Sequence, residues 1–329
     1  MYKSENNWHT TTFIAKAFWA YDYNGAGHTW GMNELFEFNS GVYVSEVSVG
    51  VMEKYAILIG GGDTDASKNF DAFWIDTKEM YNVLVNQYGY HPENVYLQFW
   101  DHQKGYKDGI YIDGPADWEV DVNNLAKYGL GITQTLEVLR AKMTEDDFFY
   151  LFATSHGGMT SEKGGDGTGT FQIYNVESGG SNDFHYANPR VDRNLDREID
   201  KMSYARCLIV ISACGSGTAI HGTNAHPEWN LKGDRRIIIT STDKNEYGWN
   251  WGGDWKTDAD NNMHAEFLWN EENNGFIYAL KNSGKISLKT AFDSGYEAAQ
   301  DNETFTAGED ISTPQLYEWI QGASTFSYL

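Results

Sequence analysis

From residue 54 onward the chain alternates short, unbroken apolar runs with longer stretches of helical period, and that alternation admits few folds. The runs at 55–59, 95–99, 147–154, 207–212 and 236–241 are short and lack polar alternation, so they read as strands buried on both faces. Between them, Met80, Leu84 and Tyr88 mark one face of a helix over 73–87. Leu136, Leu139 and Met143 do the same for a helix that Thr133 can cap. A charged helix over 192–202 and helices near 264–271 and 288–300 complete the series. Residues 170–174 read as a hairpin strand after the glycine-rich stretch 157–169. Buried strands separated by helices predict an α/β fold whose mostly parallel sheet is covered on both faces. Active sites in such sheets form at the carboxyl ends of the strands, so the chemistry is sought in the residues just after each run.

Residues 1–53 follow another pattern. Aromatic and β-branched stretches at 13–23 and 34–49, with alternation around Val42 and Val44, flank the turn-rich Asn24-Gly25-Ala26-Gly27. They predict a small β-rich N-terminal extension, or the tail of a preceding domain, ahead of a main domain over 54–329. The chain carries 47 acidic against 24 basic residues, a net charge of −23. That balance argues against nucleic acid as a partner, because a polyanion needs clustered Lys and Arg. With 41% hydrophobic residues the chain can build a large core, which excludes global disorder. No apolar run approaches the roughly 18–20 residues of a membrane span, so membrane insertion is not expected. The start, Met1-Tyr2-Lys3, lacks the apolar core of a signal peptide, and the acidity leans toward an extracellular or saline setting. Two cysteines make no disulfide framework. On one strand Cys207 and Cys214 would stand about 23 Å apart, beyond disulfide reach, which leaves a free thiol for chemistry.

Two strand ends carry reactive side chains. The third strand runs out into Thr154-Ser155-His156-Gly157-Gly158, and the fourth into Ser212-Ala213-Cys214-Gly215-Ser216-Gly217. If those strands are neighbours, an imidazole and a thiol meet at one edge of the sheet. A cysteine nucleophile needs such a base or imidazolium to hold it as thiolate. It also needs amide donors for the oxyanion, and glycines after both residues let backbone N–H groups approach the scissile carbonyl. Cys207, inside its strand, reads as a small core residue.

A strand ending in His-Gly, followed some fifty residues later by one ending in Ala-Cys-Gly, resembles the pattern of caspase-like cysteine peptidases, the clan of caspases, metacaspases, clostripain and legumain. The likeness is greatest to the legumain-type asparaginyl endopeptidases and spans roughly residues 54–320. Residues 55–61 resemble their first strand and its glycine exit, and 132–139 the helix before the His strand. Residues 208–217 resemble the strand leading to the Cys, and Leu268-Trp269-Asn270-Glu271 the late Trp-containing helix. The resemblance implies a caspase-like α/β/α sandwich acting on protein or peptide substrates. By it His156 is the general acid/base, Cys214 the nucleophile, and the N–H groups of Gly157 and Cys214 the oxyanion hole. Asn69 fills the place of the polar residue that orients the His.

The likeness weakens where specificity is set. Legumain-type enzymes carry an Arg-His pair soon after that Asn and an acidic residue directly after the Cys; here Asn69-Phe70-Asp71-Ala72 and Gly215 stand there. Family likeness implies cleavage after Asn or Asp. Asp71, with Asp243 after the fifth strand, would instead suit Arg or Lys through charge-assisted hydrogen bonds, although Asp71 also suits the first turn of a helix. Ser241, Thr242 and Asp243 are expected to line one wall of the pocket. No metal or other cofactor is required for this chemistry. Asp258-Ala259-Asp260-Asn261-Asn262 copies half of a calcium loop, but Met263 and Trp269 occupy the Gly and Glu positions. That excludes an EF-hand and leaves a looser structural calcium site as an expectation. Two rival functions come from other classes. The cluster Tyr247-Gly248-Trp249-Asn250-Trp251, with Asp254 and Trp255, suits a carbohydrate-binding face or the wall of a substrate groove. The small residues around Cys214 also resemble the nucleophile elbow of an α/β-hydrolase, whose His would lie downstream at His221, His226 or His264.

Overall fold

Six strands form the central sheet of the computed structural model, which describes residues 2–4, 7–9, 52–62, 71–100, 102–158, 169–248, 250–251, 264–265, 267–269, 274–300, 312–327 and 329. In chain order the main elements begin with β1 (Lys54–Gly60), α1 (Asp71–Asn86), β2 (Val95–Phe99), α2 (Ile132–Lys142) and β3 (Phe148–Thr154). The hairpin β4 (Thr170–Asn175) and β5 (Gly180–His185) follows, then α3 (Leu195–Ile199), β6 (Arg206–Ser212), α4 (Thr218–His221) and β7 (Arg236–Thr240). Helices α5 (Phe276–Asn282) and α6 (Leu288–Gln300) and strand β8 (Gln315–Glu318) close the series. The sheet order is β8-β7-β6-β3-β1-β2, parallel throughout except for β8, which runs antiparallel along β7.

Period-2 alternation along each strand divides the apolar residues between two cores. Tyr55, Ile57 and Ile59 of β1 pack in one core with Leu136 and Leu139 of α2, Leu195 and Ile199 of α3, and Ile220 of α4. Ala56 and Leu58 pack in the other with Met80, Val83 and Leu84 of α1, Leu280 of α5, and Leu288 and Phe292 of α6. This is the α/β/α sandwich with a mostly parallel sheet that the sequence predicts. Each such Leu or Ile, wholly removed from water, contributes about 1.5–3 kcal/mol, which makes the two-sided cover the main source of stability. Helix α1 leaves β1 toward one face, whereas α3, following β3, lies on the other. The neighbouring strands β1 and β3 therefore flank the point where the winding reverses, and ligand sites in such sheets lie at the carboxyl ends of the strands.

Several expected elements differ in detail. The helix expected near 264–271 is instead a two-residue strand, His264–Ala265, paired with Asn250–Trp251. The N–H of Ala265 is held by the buried Asp76 carboxylate, and Leu268 and Trp269 then turn, with Leu268 accepting from Ile277. The late Trp motif is thus a turn up to Trp269, and 270–271 lie outside the described residues. Gly131, not Thr133, caps α2: the Gln134 side chain accepts from its N–H, while the Thr133 hydroxyl donates to the Trp118 carbonyl. The charged helix is only Leu195–Ile199, because Asn194 caps it by accepting from Arg197 N–H.

By its contacts the chain divides into Met1–Met52 and Glu53–Leu329. In the first unit Tyr2–Ser4 and Asn7–His9 form an antiparallel pair, and the predicted strands at 13–23 and 34–49 lie outside the described residues. Among the described residues no helix is long and apolar enough to cross a membrane.

Candidate active site

Register brings the two reactive strand ends together. Strands β3 and β6 pair in parallel with Thr154 opposite Ser212, and Ser155 N–H donates to Ser212 O at 3.2 Å just past that rung. His156 and Cys214 both stand two residues beyond it, on neighbouring strands. They line one cavity of about 280 Å³, together with Phe73, Thr154, Ser155, Ser212, Ala213, Ser241, Tyr247, Gly248, Phe267 and others. The buried Phe73 ring meets the His156 ring edge-on, with centroids 5.2 Å apart and planes at 85°, and so fixes one side of the imidazole.

Gly157 makes the close approach possible. A Cβ at this position would lie 2.2 Å from the Cys214 carbonyl oxygen, a distance no side chain tolerates, and a tight 3.0 Å from the Ala213 Cβ. Gly157 also pairs with Phe171 of β4 between two rungs, since Gln172 N–H donates to His156 O. Its own N–H is therefore directed away from that ladder. Gly215, directly after the nucleophile candidate, has φ +63°, the left-handed region that disfavours a side chain.

The Cys214 thiol sits against backbone from the loop after β7. Gly248 N–H donates to Cys214 Sγ at 3.3 Å, and the thiol approaches Gly248 O at 3.9 Å. Neither cysteine is in a disulfide; Cys214 is half-buried and Cys207 buried. Burial pushes the Cys207 thiol up to about 12, which leaves it protonated and inert at neutral pH.

The remaining candidates are placed as follows. Ser241 lines the cavity, and its hydroxyl accepts from Ala213 N–H at 3.2 Å. The Thr242 hydroxyl is buried and bridges the turn around Cys214, donating to Ala213 O and accepting from Ser216 N–H. It braces Cys214 and does not line the cavity. The Asp243 carboxylate accepts from Lys244 N–H at 2.7 Å within its own turn, and it too lies off the cavity wall. Asp71 is the first residue of α1, and its side chain is not among the described ones. Asn69 lies outside the described residues, as do Trp249, Asp254, Trp255 and the candidate calcium loop 258–262. Among the described residues no group of three His, Cys, Asp or Glu side chains could hold a metal ion. His226 stacks on Trp229 at 3.7 Å and bonds Glu228, and His221 faces Gln315, so neither lines the cavity. Phe73 and Gly248, which sequence reading passed over, contact the two reactive side chains directly. Gly248 lay within the aromatic cluster already singled out, which was the available signal.

No family model matches the chain, and no curated protein matches it. Among solved structures it is similar to caspase-1 from Spodoptera frugiperda. The two share 13% identity over 81% of this chain and 86% of that one, with a TM-score of 0.44.

Proposed function

We propose that the chain is a cysteine endopeptidase of caspase-like architecture, resembling the legumain-type enzymes. The supporting observation is the placement of His156 and Cys214, two residues past one rung of adjacent parallel strands and lining one cavity. In this reading the Cys214 thiolate attacks the scissile carbonyl carbon, and the new oxyanion is met by the N–H groups of Gly157 and Cys214. His156, holding the thiol's proton, passes it to the leaving amine as the C–N bond breaks. A water activated by His156 then hydrolyses the thioester and frees Cys214. Asn69 is assigned to orienting His156. P1 is read as a polar or charged residue met at the Ser241 wall of the cavity, Asn or Asp by family likeness, or Arg or Lys if a substrate reaches beyond that wall to Asp243 or Asp71. Any calcium at 258–262 would act structurally, and an extracellular setting is the one the acidity favours.

A P1-scanning library of fluorogenic peptides, run on wild type and Cys214→Ala side by side, tests the proposal. Cleavage by wild type alone supports it, and the preferred P1 residue selects between the two pocket readings. Equal cleavage by Cys214→Ala refutes it. Function retained as sugar binding in that variant would favour the aromatic face instead.

A further inference from the structure

One carboxylate links the nucleophile's surroundings to a distant part of the chain. Glu246 Oε2 accepts from Asp243 N–H at 3.0 Å and from Thr313 N–H at 2.6 Å, while Oε1 accepts from the Thr313 hydroxyl at 2.9 Å. The backbone carbonyl of Glu246 accepts from Gly215 N–H at 2.8 Å, the residue directly after Cys214. Two residues further on, Gly248 N–H donates to the Cys214 thiol at 3.3 Å. A position for Cβ on Gly248 would lie 3.4–3.5 Å from the Ala213–Cys214 peptide, so this loop lies in van der Waals contact with the nucleophile turn. Glu246, two residues before Gly248, is thus held on one side by Asp243 and Thr313 and on the other by Gly215.

We propose that Glu246 is a positioning residue that holds the Gly248 N–H on Cys214 Sγ and thereby favours the thiolate. An amide donor stabilises a sulfur anion more than a neutral thiol, so losing its alignment raises the pH at which Cys214 ionises. The inference rests on Cys214 being the nucleophile. Among the described residues, titratable groups from several elements surround this turn, the Asp243 and Glu246 carboxylates of the Gly248 loop included. The others include His156 from the end of β3, Tyr247 from the same loop as Glu246, and Tyr186, which follows β5 and interacts with Cys214 electrostatically. Glu246 acts through the backbone and adds to whatever His156 supplies.

The test is the pH profile of Cys214 alkylation by iodoacetamide, with the adduct located by mass spectrometry, in wild type, Glu246→Ala, Glu246→Gln and Thr313→Val. Glu246→Ala is expected to move the midpoint up by about one pH unit and slow alkylation about tenfold below it, the size of one charge-assisted hydrogen bond. Glu246→Gln keeps one accepting oxygen, and Thr313→Val removes only the hydroxyl donor; both should shift the midpoint less, in the same direction. A purely structural role would lower the rate equally at every pH and leave the midpoint in place, which overturns the proposal. If Glu246→Ala does not fold, the other two variants decide by the same criterion. Peptide cleavage by Cys214→Ala is read separately, since retained cleavage removes the nucleophile itself and overturns both readings.

Discussion

Gly157→Ala tests whether backbone contact between the two strand ends is what places the imidazole and the thiol. The new methyl carbon would lie 2.2 Å from the Cys214 carbonyl oxygen and 3.0 Å from the Ala213 Cβ. Ordinary contact requires the two segments to separate by about 1 Å, and overpacking of this kind costs about 1–3 kcal/mol. The fold has two large cores to absorb that cost, whereas the site does not. A misplacement of about 1 Å between reacting groups lowers rates by about 100-fold. Gly158→Ala is the matched control, because its Cβ meets the Thr170 hydroxyl at 2.5 Å, a side-chain atom that rotates away, and among the described residues nothing else closer than 3.8 Å. Measuring kcat/KM on the best library peptide, with the melting temperature alongside, should show a large loss for Gly157→Ala and a loss of only a few-fold for Gly158→Ala. Wild-type kcat/KM in Gly157→Ala would show that the close approach does not set the geometry of the pair.

Burial raises the carboxyls of Asp113 and Asp117 to about 6, against 3.8 in an unperturbed chain. Well below pH 3.8 both are protonated in either state. As pH rises from about 4 to 6 the unfolded chain releases these protons first, so stability falls through that window and then levels off. One Asp117 Oδ finds no hydrogen-bond partner among the described residues. Asp117→Asn should therefore flatten its share of the decline and raise stability at pH 7 by an amount on the order of 2–3 kcal/mol, read by denaturant melts across pH. Arg236 is buried and donates to Asp196 and Asp200 at 2.6 Å each, to Leu231 O at 2.8 Å and to the Tyr204 hydroxyl at 2.9 Å. Arg236→Met removes the charge-assisted bonds to Asp196 and Asp200, whose carboxylates stay in reach of water, and should cost about 1.5–3 kcal/mol, measured by the same melts; a change under about 0.5 kcal/mol would contradict the network reading. Native protein should take up one equivalent of thiol reagent, at Cys214, and a second only on denaturation, since Cys207 is buried and held protonated.

Much of this arrangement was legible in the sequence because its signals are local. The runs that became β1, β2, β3, β6 and β7 are continuous apolar stretches, and the residues after two of them are a His and a Cys. What escaped is set by distant partners. Strand β8, Gln-Leu-Tyr-Glu, is half-buried at every position and gains its ladder only from β7, so no periodicity marks it. The turn at Leu268 and Trp269 is decided by carbonyls given to Phe276 and Ile277, which local propensity does not register. Glu246 looks like one more surface acid in a chain with 47 of them; its role depends on Thr313, 67 residues away. Thr242 and Asp243 were legible as residues at a strand end, but whether each faces the cavity or braces a turn depends on hydrogen bonds with Ala213, Ser216 and Lys244.

The most direct test of the nucleophile assignment is covalent capture. A peptidyl acyloxymethyl ketone carrying the preferred P1 residue alkylates an activated cysteine in the position of the scissile carbonyl. Intact mass and peptide mapping should find a single adduct on Cys214. It should form in native protein only, disappear in Cys214→Ala, and form at least about 100-fold more slowly in His156→Ala. An adduct on Cys207, or labelling of Cys214 at the same rate with and without His156, would contradict the account.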